Sequence, residues 1–398
     1  MRFTHSRTGR NVPALIILSL FVATAFAGPL DPPAPPASTP GIDPRTPITS
    51  LPVTIESAGS FYLTGNLTMA GEGNGITVTV DDVTIDLMGF SLIGDGAALD
   101  GDAIGAPPII ADRSNITIRN GIIRGWPDDG IDFNLSADDL RIEDLHILDC
   151  GGDGVFVGNS AVVHDVTVEN CGESGISTNL NSTLTNCVAY GNGGNGFRTG
   201  TSSVVTNCAA YDNGENGFQV DGSVTGCVAA ENSLAGISGG AGAVISNCAV
   251  ENNSVGINIF ARGQVVNSRI DTSGATGVDL GDRSSLRDCE VTVTNVVNDI
   301  DGVVVADDCL VIGNVIRGHV NGDSIIVSGD RNRIEANMIV NADNGINVEG
   351  SNNLVIRNSF SDIDGDEIVV PLNPNTFGPT VTSANIGTSG NPHANYSH

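Results

Sequence analysis

From residue 118 to residue 289 the chain repeats one short phrase of apolar, polar, turn-forming and then small or apolar positions. Its apolar position reads Ile118, Ile142, Val163, Leu184, Val205, Val224, Ile245, Val265 and Leu286. Two residues later come Asn120, Asp144, Asp165, Asn186, Asn207, Gly226, Asn247, Asn267 and Asp288, types that tolerate a left-handed backbone at a tight turn. A second marker is a glycine followed by an apolar residue, at Gly130, Gly154, Gly175, Gly196, Gly217, Gly236, Gly256 and Gly277, in steps of 24, 21, 21, 21, 19, 20 and 21. Between the markers, apolar and polar residues alternate with period two, the signature of a half-buried strand. Beyond the apolar N-terminal run no segment keeps a helical period.

One such unit cannot bury its own apolar face, but a stack of similar units can. The expected fold is therefore all-β: a right-handed, single-stranded parallel β-helix of about 12 coils with roughly 21 residues each. Coils spaced about 4.8 Å apart give a rod of about 60 Å. Like residues then fall above like, with Phe197 on Phe218 and turn asparagines hydrogen-bonded along the axis. Residues 309–369 keep the repeat in a variant register, with Cys309, Asn332 and Asn353 in one column and Asn314, Asn337 and Asn358 in another.

The same stacking governs the eight cysteines. Cys187, Cys208, Cys227, Cys248 and Cys289 share one inward column, with Ser268 in one coil, while Cys150 and Cys171 share another with Asn192, Asn213, Asn232 and Asn253. In-register neighbours place Cβ atoms about 4.8 Å apart, against about 3.8 Å for a disulfide, so they read as small core residues. Bridges such as Cys150–Cys171 or Cys187–Cys208 are the alternative. No CxxC or His partner points to a metal cluster.

The ends differ from the middle. Arg2, Arg7 and Arg10 precede an apolar run, Pro13 to Ala27, that closes on Ala25-Phe26-Ala27; residues 1–27 read as a secretory signal peptide, with an uncleaved anchor as the competing reading. Residues 28–46 form a Pro-rich spacer, 47–370 the β-helix domain with an N-terminal β cap around Leu51 to Leu67, and 371–398 a C-terminal tail or cap. The expected location is secreted, at the cell surface or extracellular, or periplasmic, with no membrane insertion once the signal is cleaved.

Charge narrows the partners. The chain has no lysine, and past residue 27 it carries 14 arginines against 46 acidic residues, a formal charge of −32. Such a surface repels nucleic acid and other polyanions unless cations intervene. Solubility and divalent-cation binding both account for it.

The runs VTIDLMGFSLIG (83–94), NITIRNGIIRG (115–125) and NRIEANMIVNADNGI (332–346) resemble right-handed parallel β-helix repeat proteins of the pectin-lyase-like superfamily, including NosD-type repeats. The resemblance covers about residues 50–370. It implies the fold and not a reaction, since the superfamily spans pectate lyases, polygalacturonases, alginate-modifying enzymes, phage tailspikes, adhesins and bacterial exported proteins of unknown role. Its catalytic sets do not map. Asp128-Asp129-Gly130 and Gly318-His319-Val320 echo polygalacturonase segments, but on distant coils, and a lysine-free chain lacks the third. The implied function is binding of extracellular or cell-surface polysaccharide by a non-catalytic rod; the alternative is a Ca²⁺-assisted polysaccharide lyase or glycosidase.

Outward-facing residues supply the candidates for chemistry. Arg119, Glu143 and His164 fall in one column on three successive coils, a set able to do acid/base work on a sugar. Beside them lie Arg124, Arg141 and His146, and Trp126, the only tryptophan, reads as a surface for stacking on a sugar ring. The competing reading is a solvated strand face whose charges pair with their neighbours. Tyr190 and Tyr211, outward on adjacent coils, form either a second platform or a simple stacked pair. Asp362, Asp364, Asp366 and Glu367 (SDIDGDE) are the candidate Ca²⁺ ligands, although the spacing departs from an EF-hand loop.

Overall fold

The computed structural model describes residues 44–96, 100–107, 113–272, 276–294, 300–370, 374–382, 385 and 389–398, with only the backbone of residues 134–136 and 319–321. The signal peptide and most of the spacer expected from sequence lie outside the described residues. Residues 44–398 form one unit. Its strands, all parallel to their neighbours, wind into a right-handed β-solenoid of about 14 turns. The count exceeds the expected dozen because strands at both ends join the stack. Leu51 to Leu67 supplies Val53–Ile55 and Gly59–Leu63, which pair with Ile76–Val78 and Val83–Asp86. At the other end Thr376–Phe377 pairs with Leu354–Val355, and Asn395–Ser397 pairs with Ser359–Phe360 and Thr380–Thr382. No helix among the described residues is long and apolar enough to cross a membrane.

Each coil has three faces separated by corners. One coil runs through Arg141 to Glu143 on the first face, Leu145 to Leu148 on the second and Val155 to Val157 on the third. The corner between the first two is the Asn/Asp column read from sequence, and its φ values are positive: 61° at Asn120, 54° at Asp144, 56° at Asp165, 56° at Asn186 and 53° at Asn207. A short polar side chain that bonds locally lowers the cost of that conformation. The glycine column obeys a different rule. A Cβ on Gly175 would stand 2.7 Å from the Gly196 carbonyl oxygen and 2.8 Å from Ala189 Cβ, so close approach of the next coil selects glycine there.

The interior is filled by ladders. Ile118, Ile142, Val163, Leu184 and Val205 are fully buried one above another, each contributing about 1.5–3 kcal/mol relative to exposure. Phe197 and Phe218 stack with centroids 4.9 Å apart. Polar rungs are satisfied along the axis: Asn192 Nδ2 donates to Asn213 Oδ1, Asn213 Nδ2 to Asn232 Oδ1 and Asn232 Nδ2 to Asn253 Oδ1, at 2.9–3.0 Å. Asn314, Asn337, Asn358 and Asn395 repeat the device near the C-terminus. All eight cysteines are free and buried. Their sulfurs serve the same ladder, with the N–H of Cys187 donating to Cys208 Sγ and that of Cys208 to Cys227 Sγ, both at 3.4 Å.

Candidate functional site

The outward column of the first face carries the charged set expected from sequence. Glu143 is the strand partner of Arg119 on one side and of His164 on the other. Its carboxylate accepts from His164 Nε2 at 2.8 Å and lies 3.8 Å from Arg119 and 3.5 Å from Arg141. Arg119 also reaches Asp86, 3.3 Å away, which Arg45 meets from the other side at 3.2 Å. His164 Nδ1 faces Asp165, 3.0 Å away. Hydrogen bonds to Asp165 and then Glu143 outweigh the effect of burial, and hold the imidazole above its ordinary range. The result is an unbroken chain of polar side-chain contacts over four coils, in which Glu143 is engaged by three partners.

Around this chain the other candidates separate. His146 points from the second face and binds Glu169 at 3.1 Å. Arg124 stands on the second face as the strand partner of Leu148. Tyr190 and Tyr211 are strand partners further along the same column, which runs from Arg124 through Leu148 and Glu169. Trp126 corrects the sequence reading: it is 1 % exposed and offers no surface to a sugar. Its carbonyl accepts from Gly151 as the Cys150 carbonyl accepts from Gly172, so Trp126 heads the inward column of Cys150, Cys171 and Asn192. A second correction concerns the acids at 362–367. Asp362, Asp364, Asp366 and Glu367 do not gather their oxygens. Asp362 lies within the strand Ser359–Ile363, Asp364 and Asp366 in the turn after it, and Glu367 accepts from Ser397 Oγ at 2.7 Å.

Among the described residues, the group of three acids whose oxygens lie within 4.8 Å of one another is Asp102, Asp129 and Asp132, an arrangement able to hold a metal ion. It grows out of a ladder at the entrance to the third face. Asn74 Oδ1 accepts the N–H of Asp102, Asp102 Oδ1 that of Asp129, Asp129 Oδ1 that of Asp153, and Asp153 Oδ1 that of Ser174. The carboxyl therefore does the turn-to-turn work that an amide or hydroxyl does in neighbouring coils, and three acids are stacked at coil spacing. Burial first, and then the neighbouring carboxylates, push Asp129 up to about 8 and Asp102 up to about 7. Burial likewise raises Asp153 to about 6 and raises Asp128. Asp132 follows on the outward column, where its strand partner is Gly105. A Cβ on Gly105 would stand 3.0 Å from Asp102 Oδ2 and 2.9 Å from the Asp132 carbonyl oxygen, so the missing side chain keeps a niche open between the acids.

From Asp132 the outward column of the third face continues through Phe156, Ser177, Arg198, Gln219, Ser238 and Asn258, one residue per coil. Clefts open on either side of Arg198 and Gln219. One is lined by Phe156, Ser177, Thr178, Asn179, Thr199, Gly200 and Asp221, the other by Glu173, Ser174, Asn195 and Glu215. Sequence reading reached Asp128 and Asp129 but missed Asp102, Asp153 and Arg198. The missed signal sits one residue before each repeat glycine, where Asp129 and Asp153 precede Gly130 and Gly154 as Asn195 and Asn216 precede Gly196 and Gly217.

A family model described as "Right handed beta helix region" matches residues 53–203 and 130–295. No curated protein matches the sequence. Similar solved structures include the mannuronan C-5 epimerase AlgE6 A-module of Azotobacter vinelandii, at 15% identity over 88% of this chain and 89% of that one, with a TM-score of 0.40. A mutant tailspike protein of E. coli bacteriophage HK620, in complex with pentasaccharide, is similar at 11% identity over 85% of this chain and 72% of its own, with a TM-score of 0.46. The periplasmic alginate epimerase AlgG is similar at 8% identity, over 85% of this chain and 76% of that one, with a TM-score of 0.35.

Proposed function

Because this chain belongs to the right-handed β-helix family, we propose that it is an exported rod that binds polysaccharide along its third face, beside a Ca²⁺ ion held by Asp102, Asp129 and Asp132. One observation carries the reading: the niche over Gly105, beside these acids, stands at the head of an outward column that runs through Phe156 to Ser177, Arg198 and Gln219. The donors are hard carboxylate oxygens, the kind Ca²⁺ selects. Their oxygens lie within 4.8 Å of one another, close enough for the three carboxylates to share one ion. Bound Ca²⁺ would supply charge neutralisation and open coordination positions for sugar oxygens. The chain's own residues position the ligand: Phe156 offers an apolar surface, and Arg198 and Gln219 offer hydrogen bonds.

A second reading, a glycosidase at the same place, is favoured by the raised Asp129 carboxyl. An acid pushed up to about 8 stays protonated at neutral pH close to Asp132, and a proton donor paired with a carboxylate is what glycosidic hydrolysis requires. The Arg119, Glu143 and His164 set is a further acid/base candidate, read here as a solvated ion-pair ladder because every member is already engaged.

Retention on a panel of immobilised polysaccharides, with Ca²⁺ or EDTA, tests the binding reading. New reducing ends and the ultraviolet absorbance of unsaturated sugars test catalysis on the same panel. Retention that persists in EDTA and is strengthened by Ca²⁺, with the gain lost in Asp132→Asn, is the expected result. Retention indifferent both to EDTA and to that change would refute the Ca²⁺ site, and activity lost only in Glu143→Ala and His164→Ala would move the chemistry to the first face.

A further inference from the structure

Arg198 is the one arginine between Arg141 and Arg262, and the fold sets it in the middle of the third face. Acids stand on both sides of it. Asp221 lines one adjoining cleft and Glu173 and Glu215 the other, while the Arg198 charge in turn lowers Asp153 against the burial that raises it. Glu215 is fixed in place by Asn195, whose Nδ2 donates to its Oε2 at 2.5 Å. Thr178 and Thr199, 4 % and 5 % exposed, turn inward on the column that continues to the core residue Val220, so the first cleft offers a ligand Asn179, Arg198, Gln219 and Asp221, with Phe156 beside them.

We propose that these clefts form a subsite for an uncharged, hydroxyl-rich sugar unit, so that the strip on the third face selects neutral over acidic polysaccharide. The inference rests on the polysaccharide-binding reading above and specifies its substrate class. A sugar hydroxyl both donates and accepts. Acids receive from it, the guanidinium donates to it, and the Gln219 amide does both. A carboxylated or sulfated sugar would gain one cation at Arg198 while facing Glu173, Glu215 and Asp221 on a chain of strongly negative charge. Phe156, two coils from Arg198, gives the apolar face of a neutral ring a place to lie.

The test titrates the full-length protein with neutral and polyuronate oligosaccharides of equal length, in EDTA so that the Asp102 niche takes no part. Arg198→Ala and Glu215→Gln are measured alongside. The expected result is a preference of at least tenfold for the neutral series and a loss of about tenfold or more in that series for each variant. The weak uronate binding rises in Glu215→Gln, where one repelling charge is gone. Equal or tighter uronate binding by the unaltered protein would overturn this inference while leaving polysaccharide binding in place. Neutral binding unchanged in both variants would remove the subsite from these clefts. No binding of either series, in EDTA or in Ca²⁺, would sink the parent reading as well.

Discussion

Replacing Asn213 with Ala removes one rung from the middle of the amide ladder. Asn213 is 1 % exposed. Its Oδ1 accepts from the N–H of Asn192 at 3.2 Å and from Asn192 Nδ2 at 3.0 Å. Its Nδ2 donates to the Ala189 carbonyl at 3.2 Å and to Asn232 Oδ1 at 2.9 Å. Water cannot reach a closed interior without opening the coil, so the substitution leaves two donors without their partner and weakens two acceptors. Orphaned buried donors cost about 1–3 kcal/mol each and lost bonds about 0.5–1.5 kcal/mol, so the expected destabilisation is about 4 kcal/mol. The control is Asn186→Ala at an outer corner, where the cost is the left-handed backbone, about 1–2 kcal/mol. A solenoid opens locally, so hydrogen exchange read by mass spectrometry over residues 188–232 is the appropriate assay. A loss of about 4 kcal/mol raises the opening constant roughly a thousandfold, and exchange in those coils should accelerate accordingly. Protection in the Asn213→Ala protein equal to that in Asn186→Ala would refute the claim that the ladder bears energy.

Two further outcomes follow. Asp129, Asp102 and Asp153 are pushed up to about 8, about 7 and about 6, so between about pH 4 and 8 the folded chain keeps protons that the unfolded chain has released. Their stabilising contribution is complete below about pH 4 and is lost as pH rises through the folded values; in EDTA, Tm should fall across that window, millimolar Ca²⁺ should restore it at pH 8, and Asp129→Asn should flatten the profile. A rising or level profile in the unaltered protein, or no response to Ca²⁺, would count against the cluster as described. The eight buried thiols should react with a thiol reagent only on unfolding, with the same mass before and after reductant, and a mass two protons lower per bridge before reduction would show a disulfide instead.

The fold was legible because stacking turns one geometric rule into columns that recur throughout the sequence. Gly130, Gly154 and Gly175 mark the period, and Asn120, Asp144 and Asp165 mark a corner whose backbone sign follows from residue type alone. The site was less legible, for two different reasons. Trp126 was open to correct placement: it stands 24 residues before Cys150, the same step that separates Gly130 from Gly154, so its column was already known to face inward. Its rarity and polar edge suggested a binding residue, but packing decided otherwise. The cluster of Asp102, Asp129 and Asp132 was harder to see. Asp102 lies 27 residues before Asp129, outside the regular steps, and a coil that lengthens there hides which residues align. Density of acids in the sequence pointed to residues 362–367, whereas the three acids whose oxygens approach one another are Asp129 and Asp132 on one coil and Asp102 on the coil before. Arg198 carried no motif at all; its interest comes from the clefts beside it.

Because every strand bonds only to the turn before and the turn after, nothing in the core measures the total length of the rod. A duplication or deletion of one whole unit, for instance the 21 residues from Cys187 to Asn207, would leave every surviving column continuous. Slippage at the gene level could therefore lengthen or shorten the outward column of the third face by single rungs without redesign of the interior.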